Sequence, residues 1–453
     1  MRCHHSRVDK ILLFTCFMLL ANPLFITAAF TETCVTSACH SDISQLTNQH
    51  SPVAEGDCSA CHEQIQVQHP GAQSESFKLI KSGAILCYQC HDKYGRKLTI
   101  HAPVAEGECL ACHDPHGSNA GSKLLTVDYD LTALCTNCHD PDMLTAAFGH
   151  GPAVSGACTQ CHNPHEANQP RLLVKPLQQL CNGCHQEMAE GMASSPVIHA
   201  AVKDSSCTAC HDPHSAPAAK LLSKDIESLC MDCHDDVGRK AKTAKVKHAA
   251  LYRPEKCSSC HAAHFSQHGA LLALPEQDVC LSCHGRDDYS KSKPLNNIAK
   301  EIEGKNQLHG PLKDGECSGC HNPHGSDYTR MLRGPYPESF YYPYTTGSYD
   351  FCLGCHEKNL LRFAETSIYT EFRNGKYNLH YLHVANKYKG RSCRACHEPH
   401  AANLEKLMTE EGAEFGDWRI PTRFVKTATG GSCSPGCHQT FEYDRETPVD
   451  YQQ

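Results

Sequence analysis

Residues 101–116, HAPVAEGECLACHDPH, put two cysteines and three histidines within sixteen positions. At the centre, Cys109-Leu110-Ala111-Cys112-His113 has the spacing of a c-type haem attachment site. In such a site two thiols add to the haem vinyl groups and the adjoining imidazole takes one axial position on the iron. The unit recurs along the chain. Thirteen strict CxxCH motifs use Cys58, Cys61 and His62; Cys87, Cys90 and His91; Cys109, Cys112 and His113; Cys135, Cys138 and His139; Cys158, Cys161 and His162; Cys181, Cys184 and His185; Cys207, Cys210 and His211; Cys230, Cys233 and His234; Cys257, Cys260 and His261; Cys280, Cys283 and His284; Cys317, Cys320 and His321; Cys352, Cys355 and His356; and Cys393, Cys396 and His397. Two stretched variants bracket them: CxxxxCH at Cys34, Cys39 and His40, and CxxxCH at Cys433, Cys437 and His438.

Fifteen motifs consume thirty of the 32 cysteines, and the other two, Cys3 and Cys16, lie at the extreme N-terminus. An even cysteine count in an exported chain often means disulfides, and paired CxxC often means structural zinc. Neither chemistry needs a histidine directly after all fifteen second cysteines. Covalent haem does.

The motifs alternate between two kinds. Motifs of kind A are preceded by a histidine and followed by x-P-H or a relative, as in HGPAVSGACTQCHNPH (150–165) and HGPLKDGECSGCHNPH (309–324). Motifs of kind B follow an apolar residue, as in LCTNCH, LCNGCH and FCLGCH. The A motifs start at 58, 109, 158, 207, 257, 317 and 393, so the first four steps are 49 to 51 residues and the last two are 60 and 76. The order reads as one B motif followed by seven A–B pairs. A period near fifty with two haems per unit predicts a repeat array rather than a single globule.

Removing the fifteen motif histidines from a total of 33 leaves eighteen, and His4 and His5 lie in the N-terminal leader. The remainder follow the motifs. Leading histidines precede the A motifs: His50, His101, His150, His199, His248, His309 and one of His380 or His383. Trailing histidines follow them: His69, His116, His165, His214, His264, His324 and His400. A trailing histidine three residues after the motif histidine shares its local face, so it cannot easily reach the far side of the same macrocycle. It should serve a neighbouring haem, with the x-P-H proline stopping any helix that would carry it away. His268 has no repeat counterpart, so His380 and His383 are both taken as ligands and His268 as the spare.

Composition agrees with a haem-filled interior. Hydrophobic residues make up 40 % of the chain, with a single tryptophan, Trp418, and a mean hydropathy of −0.47. Porphyrins are large apolar plates whose burial would supply the missing bulk. If 29 of the 453 residues are a leader, 424 remain for fifteen haems, about 28 each. That is enough for coil and short α-helices at the motifs and for little or no β structure. The expectation is an extended, haem-packed repeat array.

Arg2, Arg7 and Lys10 followed by the apolar run Ile11 to Phe25 and small residues to Ala29 read as a signal peptide, either cleaved near Ala29 or retained as an anchor. Beyond it the chain carries 39 basic and 49 acidic side chains, net −10, which argues against nucleic-acid binding. The pattern divides into residues 1–29 as leader, 30–330 as multihaem repeats and 331–453 as a C-terminal multihaem region. The last contains an aromatic insert, GPYPESFYYPYTTGSYDF, expected to pack as extended loop over haem edges or to form a contact surface. From Arg373 to Arg394 there are six Lys/Arg and no acids, a surface that counters propionates or docks an acidic partner.

These residues resemble the doubled-CXXCH multihaem cytochromes c. The likeness covers the chain beyond its leader, and the stretches 372–401 and 429–438 look like the ending common in that family. Two departures stand out: His69 follows its motif by seven residues rather than three, and CHAAH at His264 lacks the proline. The resemblance implies periplasmic or outer-surface electron transfer in bacteria. Redox proteins are the expected partners, with an outer-membrane porin or an inner-membrane quinol oxidase as the candidates to look for. Sixteen candidate histidines for fifteen distal positions let every iron have two, which makes the expectation an electron carrier rather than an enzyme. Two other readings stay open: a multihaem reductase with one open iron, although no divergent CxxCK motif occurs, and the subunit of a polymerised cytochrome filament.

Overall fold

The computed structural model describes residues 34–451 except 37–38, 67–68, 70–75, 122, 128–130 and 290–294. The expected leader, residues 1–29, lies outside them. The chain forms two compact units, one of residues up to Gly95 with Ala102–Tyr129, the other of Arg96–His101 with Asp130–Gln453. Among the described residues no helix is long and apolar enough to cross a membrane.

The two motif kinds adopt two backbones. In A motifs the CxxC stretch is a single 3-10 turn, as in Cys109–Ala111, Cys158–Gln160, Cys207–Ala209 and Cys317–Gly319. In B motifs it ends a short α-helix, as in Leu131–Thr136, Leu177–Asn182, Ile226–Met231 and Glu276–His284. The apolar residue that marks a B motif in sequence belongs to that helix. Between leading histidine and A motif lies one helical turn, such as Gly151–Val154 or Gly310–Lys313, with proline in its first positions, where a missing N–H costs nothing. The turn ends in a left-handed residue. Gly156 (φ 73°) and Gly315 (φ 77°) fill that position, and Ser205 (φ 61°) holds it without the freedom of glycine.

Strand is more frequent than the composition suggested, although among the described residues no strand exceeds four residues. The recurrent form is a pair of antiparallel dipeptides: Asn48–Gln49 with Gly117–Ser118, Thr99–Ile100 with Glu166–Ala167, Phe148–Gly149 with Ser215–Ala216, Val197–Ile198 with Phe265–Ser266, and Gln307–Leu308 with Ala401–Ala402. Each joins the residues just before a leading histidine to those just after the next repeat's trailing histidine. Hydropathy alternation cannot reveal strands two residues long, because period two needs several residues to show. The last unit departs from the repeat with a three-stranded sheet of Val425–Lys426, Gly430–Cys433 and Phe441–Asp444. The stretched motif ending in Cys437-His438 occupies the loop between its last two strands.

The protein core is small. Among the described residues only twelve hydrophobic side chains are buried, several of them alanines. One cluster stands out, Tyr349, Leu361 and Val384 with Tyr336, Tyr344, Leu353 and Leu360 packed on it. The tyrosine-rich insert therefore packs aromatics, as its composition suggested, and Tyr341–Tyr342 pairs with Gly390–Arg391. At roughly 25 cal/mol per Å² of buried apolar surface, so few side chains cannot offset the ordering entropy of some 400 residues. The chain made without haem attachment should therefore give a coil-type far-UV circular dichroism spectrum and rapid proteolysis. A cooperative thermal melt of the haem-free chain would contradict this.

Candidate haem sites

Six of the seven A-motif histidines are held from behind by the backbone. The Nδ1–H of His113, His162, His211, His261, His321 and His397 donates to the carbonyl of Lys123, Arg171, Lys220, Ala270, Arg330 and Lys406, at 2.7 to 2.9 Å. With Nδ1 engaged, Nε2 is left with its lone pair outward, the tautomer a metal needs. The accepting carbonyl sits in a tight turn in which two consecutive residues are left-handed: Arg171 and Leu172 (φ 57° and 58°), Lys220 and Leu221 (60° and 59°), Arg330 and Met331 (52° and 55°). Such backbone costs about 1–2 kcal/mol per non-glycine residue, and its recurrence from repeat to repeat marks it as built for the histidine.

The leading histidines are fixed in the same manner from another source. Nδ1 of His50, His101, His150 and His248 donates to the carbonyl of Pro115, Pro164, Pro213 and Pro323, at 2.8 to 3.0 Å. Those prolines belong to the x-P-H of the following repeat. The leading histidine's backbone N–H also donates to the carbonyl of the trailing histidine beside that proline, as His50 to His116 (3.1 Å) and His150 to His214 (2.9 Å). The proline thus supplies an acceptor as well as stopping a helix.

The imidazoles face each other in pairs. Five of the seven trailing histidines meet the motif histidine of the preceding A motif: His116 with His62, His214 with His162, His264 with His211, His324 with His261 and His400 with His321. Each leading histidine meets the motif histidine of the B motif in its own repeat: His50 with His91, His101 with His139, His150 with His185, His199 with His234, His248 with His284 and His309 with His356. His69 meets His40, so its displaced position and the missing proline at His264 leave both in the scheme. His40 of the first motif is thus paired as an A-motif histidine is, with a trailing histidine, although its motif precedes an A motif as a B would. Of the paired C-terminal histidines, His380 meets His397 and His383 lies near His438. His113 belongs to the first unit and His165 to the second. No imidazole of the described residues faces His268.

Ring centres in these thirteen pairs are 5.9 to 6.4 Å apart. Two imidazoles on one metal, each with its nitrogen about 2 Å from the ion, give about 6.3 Å between centres. The pairs thus have the separation of two axial ligands on one iron. Burial lowers the pKa of His62, His214, His264, His309, His321 and His324, and holds His380 down at about 4. All are kept neutral, as metal ligands must be.

The surroundings fit a porphyrin. In the second unit a continuous cavity of about 4070 Å³ runs among the motifs from His150 to Tyr451, several times an ordinary ligand pocket of roughly 300–1,000 Å³. Arg373 and Arg394 line it, and the Nε of each is buried without a hydrogen-bond partner. Haem propionates would complete both, consistent with the propionate-countering reading of this basic stretch. Thiols mark the order of attachment. The first cysteine of five B motifs is in hydrogen-bonding reach of the first cysteine of the next A motif: Cys87 to Cys109, Cys181 to Cys207, Cys230 to Cys257, Cys280 to Cys317 and Cys352 to Cys393. Cys34 and Cys58 stand in the same relation.

Two supports went unread in the sequence: the left-handed turn and the carboxylate that reaches His400. The first has a signal, because KLL, RLL, KLL, ALL, RML and KLM begin nine or ten residues after the A-motif histidines. The second has none, since Glu301 lies 99 residues from the imidazole it meets.

A family model described as "Doubled CXXCH motif" matches residues 50–96, 101–144, 150–190, 199–239, 248–289 and 309–360, together more than half the chain. No curated protein matches the chain.

The pairing separates the spare histidine from a ligand. His380→Ala should open one iron and give a new high-spin signal, whereas His268→Ala should leave the optical and spin-resonance spectra unchanged. A high-spin signal from the His268 variant would overturn the assignment.

Proposed function

The chain belongs to the doubled CXXCH family of multihaem c-type cytochromes, and from that premise we propose that it carries electrons over a long distance along fifteen covalent, bis-histidine haems. Bound haem supplies one-electron iron chemistry; the protein supplies axial ligands, burial and order. The alternation of junctions carries the reading. The first thiols of successive B and A motifs meet between repeats, as Cys230 to Cys257 and Cys280 to Cys317. The second thiols of A and B motifs lie near each other within repeats, as Cys210 to Cys233 and Cys260 to Cys283. Haems attached at these junctions would follow one another in chain order, close enough for electrons to pass between them.

Bis-histidine iron is six-coordinate and has no position for a substrate, so it exchanges electrons but does not readily activate an oxyanion. That supports a carrier over a reductase. Export by the N-terminal segment would put the carrier in the periplasm or at the outer membrane, where redox proteins, a porin or a quinol oxidase are the natural partners. Co-purification from native membranes tests this, and capture of none of these proteins would remove the support for them.

Intact-mass spectrometry of the exported protein should show fifteen haems; thirteen would mean that the stretched motifs at Cys34/Cys39 and Cys433/Cys437 are not used. The oxidised protein should be wholly low-spin, and the reduced protein should not bind carbon monoxide promptly. One high-spin haem that binds carbon monoxide at once would favour the reductase instead.

A further inference from the structure

The spacer before the sixth A motif is longer than those preceding it. His309 follows His284 by 25 positions, whereas His248 follows His234 by 14 and His199 follows His185 by 14. The added length builds a helical turn, Ile298–Ile302, capped by Asn297, whose Oδ1 accepts the Lys300 N–H at 3.2 Å. Lys300 Nζ pairs with Asp287 at 2.7 Å and Asn297 Nδ2 donates to the same carboxylate at 3.0 Å, so the turn is tied down at its base. From it Glu301 reaches a distal imidazole: its Oε2 lies 2.9 Å from Nδ1 of His400, the partner of His321.

Four other trailing histidines, His116, His214, His264 and His324, have weaker support at that nitrogen. Asp114 and Asp212 stand 3.6 Å from Nδ1 of His116 and His214, beyond hydrogen-bond distance, and spend Oδ1 on the backbone N–H of the same histidines at 2.9 Å. Asn322 accepts the backbone N–H of His324 in the same way, and at the equivalent position before His264 stands Ala262, which has no polar side chain to offer. The leading histidines lean on neutral proline carbonyls. The pair His321–His400 also differs in geometry, with its ring planes 41° apart, where the other twelve described pairs lie within 27°.

We propose that Glu301 is a positioning residue that pulls the potential of the haem between His321 and His400 below those of the equivalent haems in the other repeats, placing a step in the electron path. A carboxylate that accepts the Nδ1–H gives the imidazole part of the character of its anion. It then donates more strongly to iron and favours the ferric state. A proline carbonyl, being neutral, does this less. The inference rests on the reading of His321 and His400 as axial ligands of one iron.

The test uses the full-length, haem-loaded protein, titrated optically and by spin resonance. In the unaltered protein one haem's worth of signal should remain ferric after the rest is reduced. Glu301→Gln keeps the shape and an acceptor oxygen but removes the charge, so that last component should move upward into the main transition with haem content and low-spin state unchanged. His400→Ala identifies the component, because its loss should coincide with the appearance of one high-spin iron. A Glu301→Gln titration that superimposes on the unaltered one, or moves downward, overturns the proposal. So does conversion of that haem to high-spin, which would mean that Glu301 only holds His400 in place. Peptide mass spectrometry finding no haem on Cys317 and Cys320 would instead defeat the underlying ligation.

Discussion

Two imidazoles for each iron is the constraint from which the rest of this structure follows. A motif fixes one axial ligand beside its own thiols, and the second must come from across the macrocycle. Here the imidazole placed to supply it comes from another point in the chain: His116 faces His62, and His50 faces His91. Repeats that borrow ligands from one another cannot drift apart while the iron is bound. Ligation would thus do the tying that apolar side chains do in an ordinary repeat protein, which accounts for how few side chains are buried among the described residues.

The backbone devices serve that borrowing. A ligand delivered from a neighbouring repeat must arrive with its ring oriented and its proton on the correct nitrogen. The dipeptide strand pair before a leading histidine sets where it arrives, the proline carbonyl fixes Nδ1–H, and the left-handed turn does the same for the A-motif histidine. The strain in that turn is local, and a hydrogen bond to a coordinated imidazole offsets it. Burial then keeps the rings neutral before metal arrives.

What could be read in advance was whatever the chemistry of attachment dictates locally. CxxCH spacing, the tally of histidines against motifs and the turning of His116 away from its own motif histidine toward His62 all follow from a few residues of reach. What could not be read depends on distance or brevity. Strands of two residues carry no period, the 3-10 and α backbones of the two motif kinds differ by one hydrogen-bond register, and Glu301 meets His400 only after the intervening repeat has folded. The Lys-Leu-Leu turns lie between: visible as a repeat at fixed offset, but meaningful only once their carbonyl is seen behind the histidine.

The ends of the array show how far the borrowing rule reaches. If each A haem takes its second ligand from the next repeat, the last A motif has no donor. His380 fills that place, and it comes from the segment that lengthens the final step between A motifs to 76 residues. His383, ten residues before Cys393, remains the ordinary leading histidine, near His438. At the other end His69 has no earlier A haem to serve and meets His40 instead, so the first motif stands as a B by its thiol contact and an A by its ligand. The two stretched motifs occur at these same two places. Of the two, Cys437-His438 sits on a loop between strands rather than at a helix end. A repeat that lends ligands in one direction has to be closed by residues outside the repeat. The irregular C-terminal region, whose aromatic core includes Val384 from the same helical turn as His380 and His383, is what closes this one.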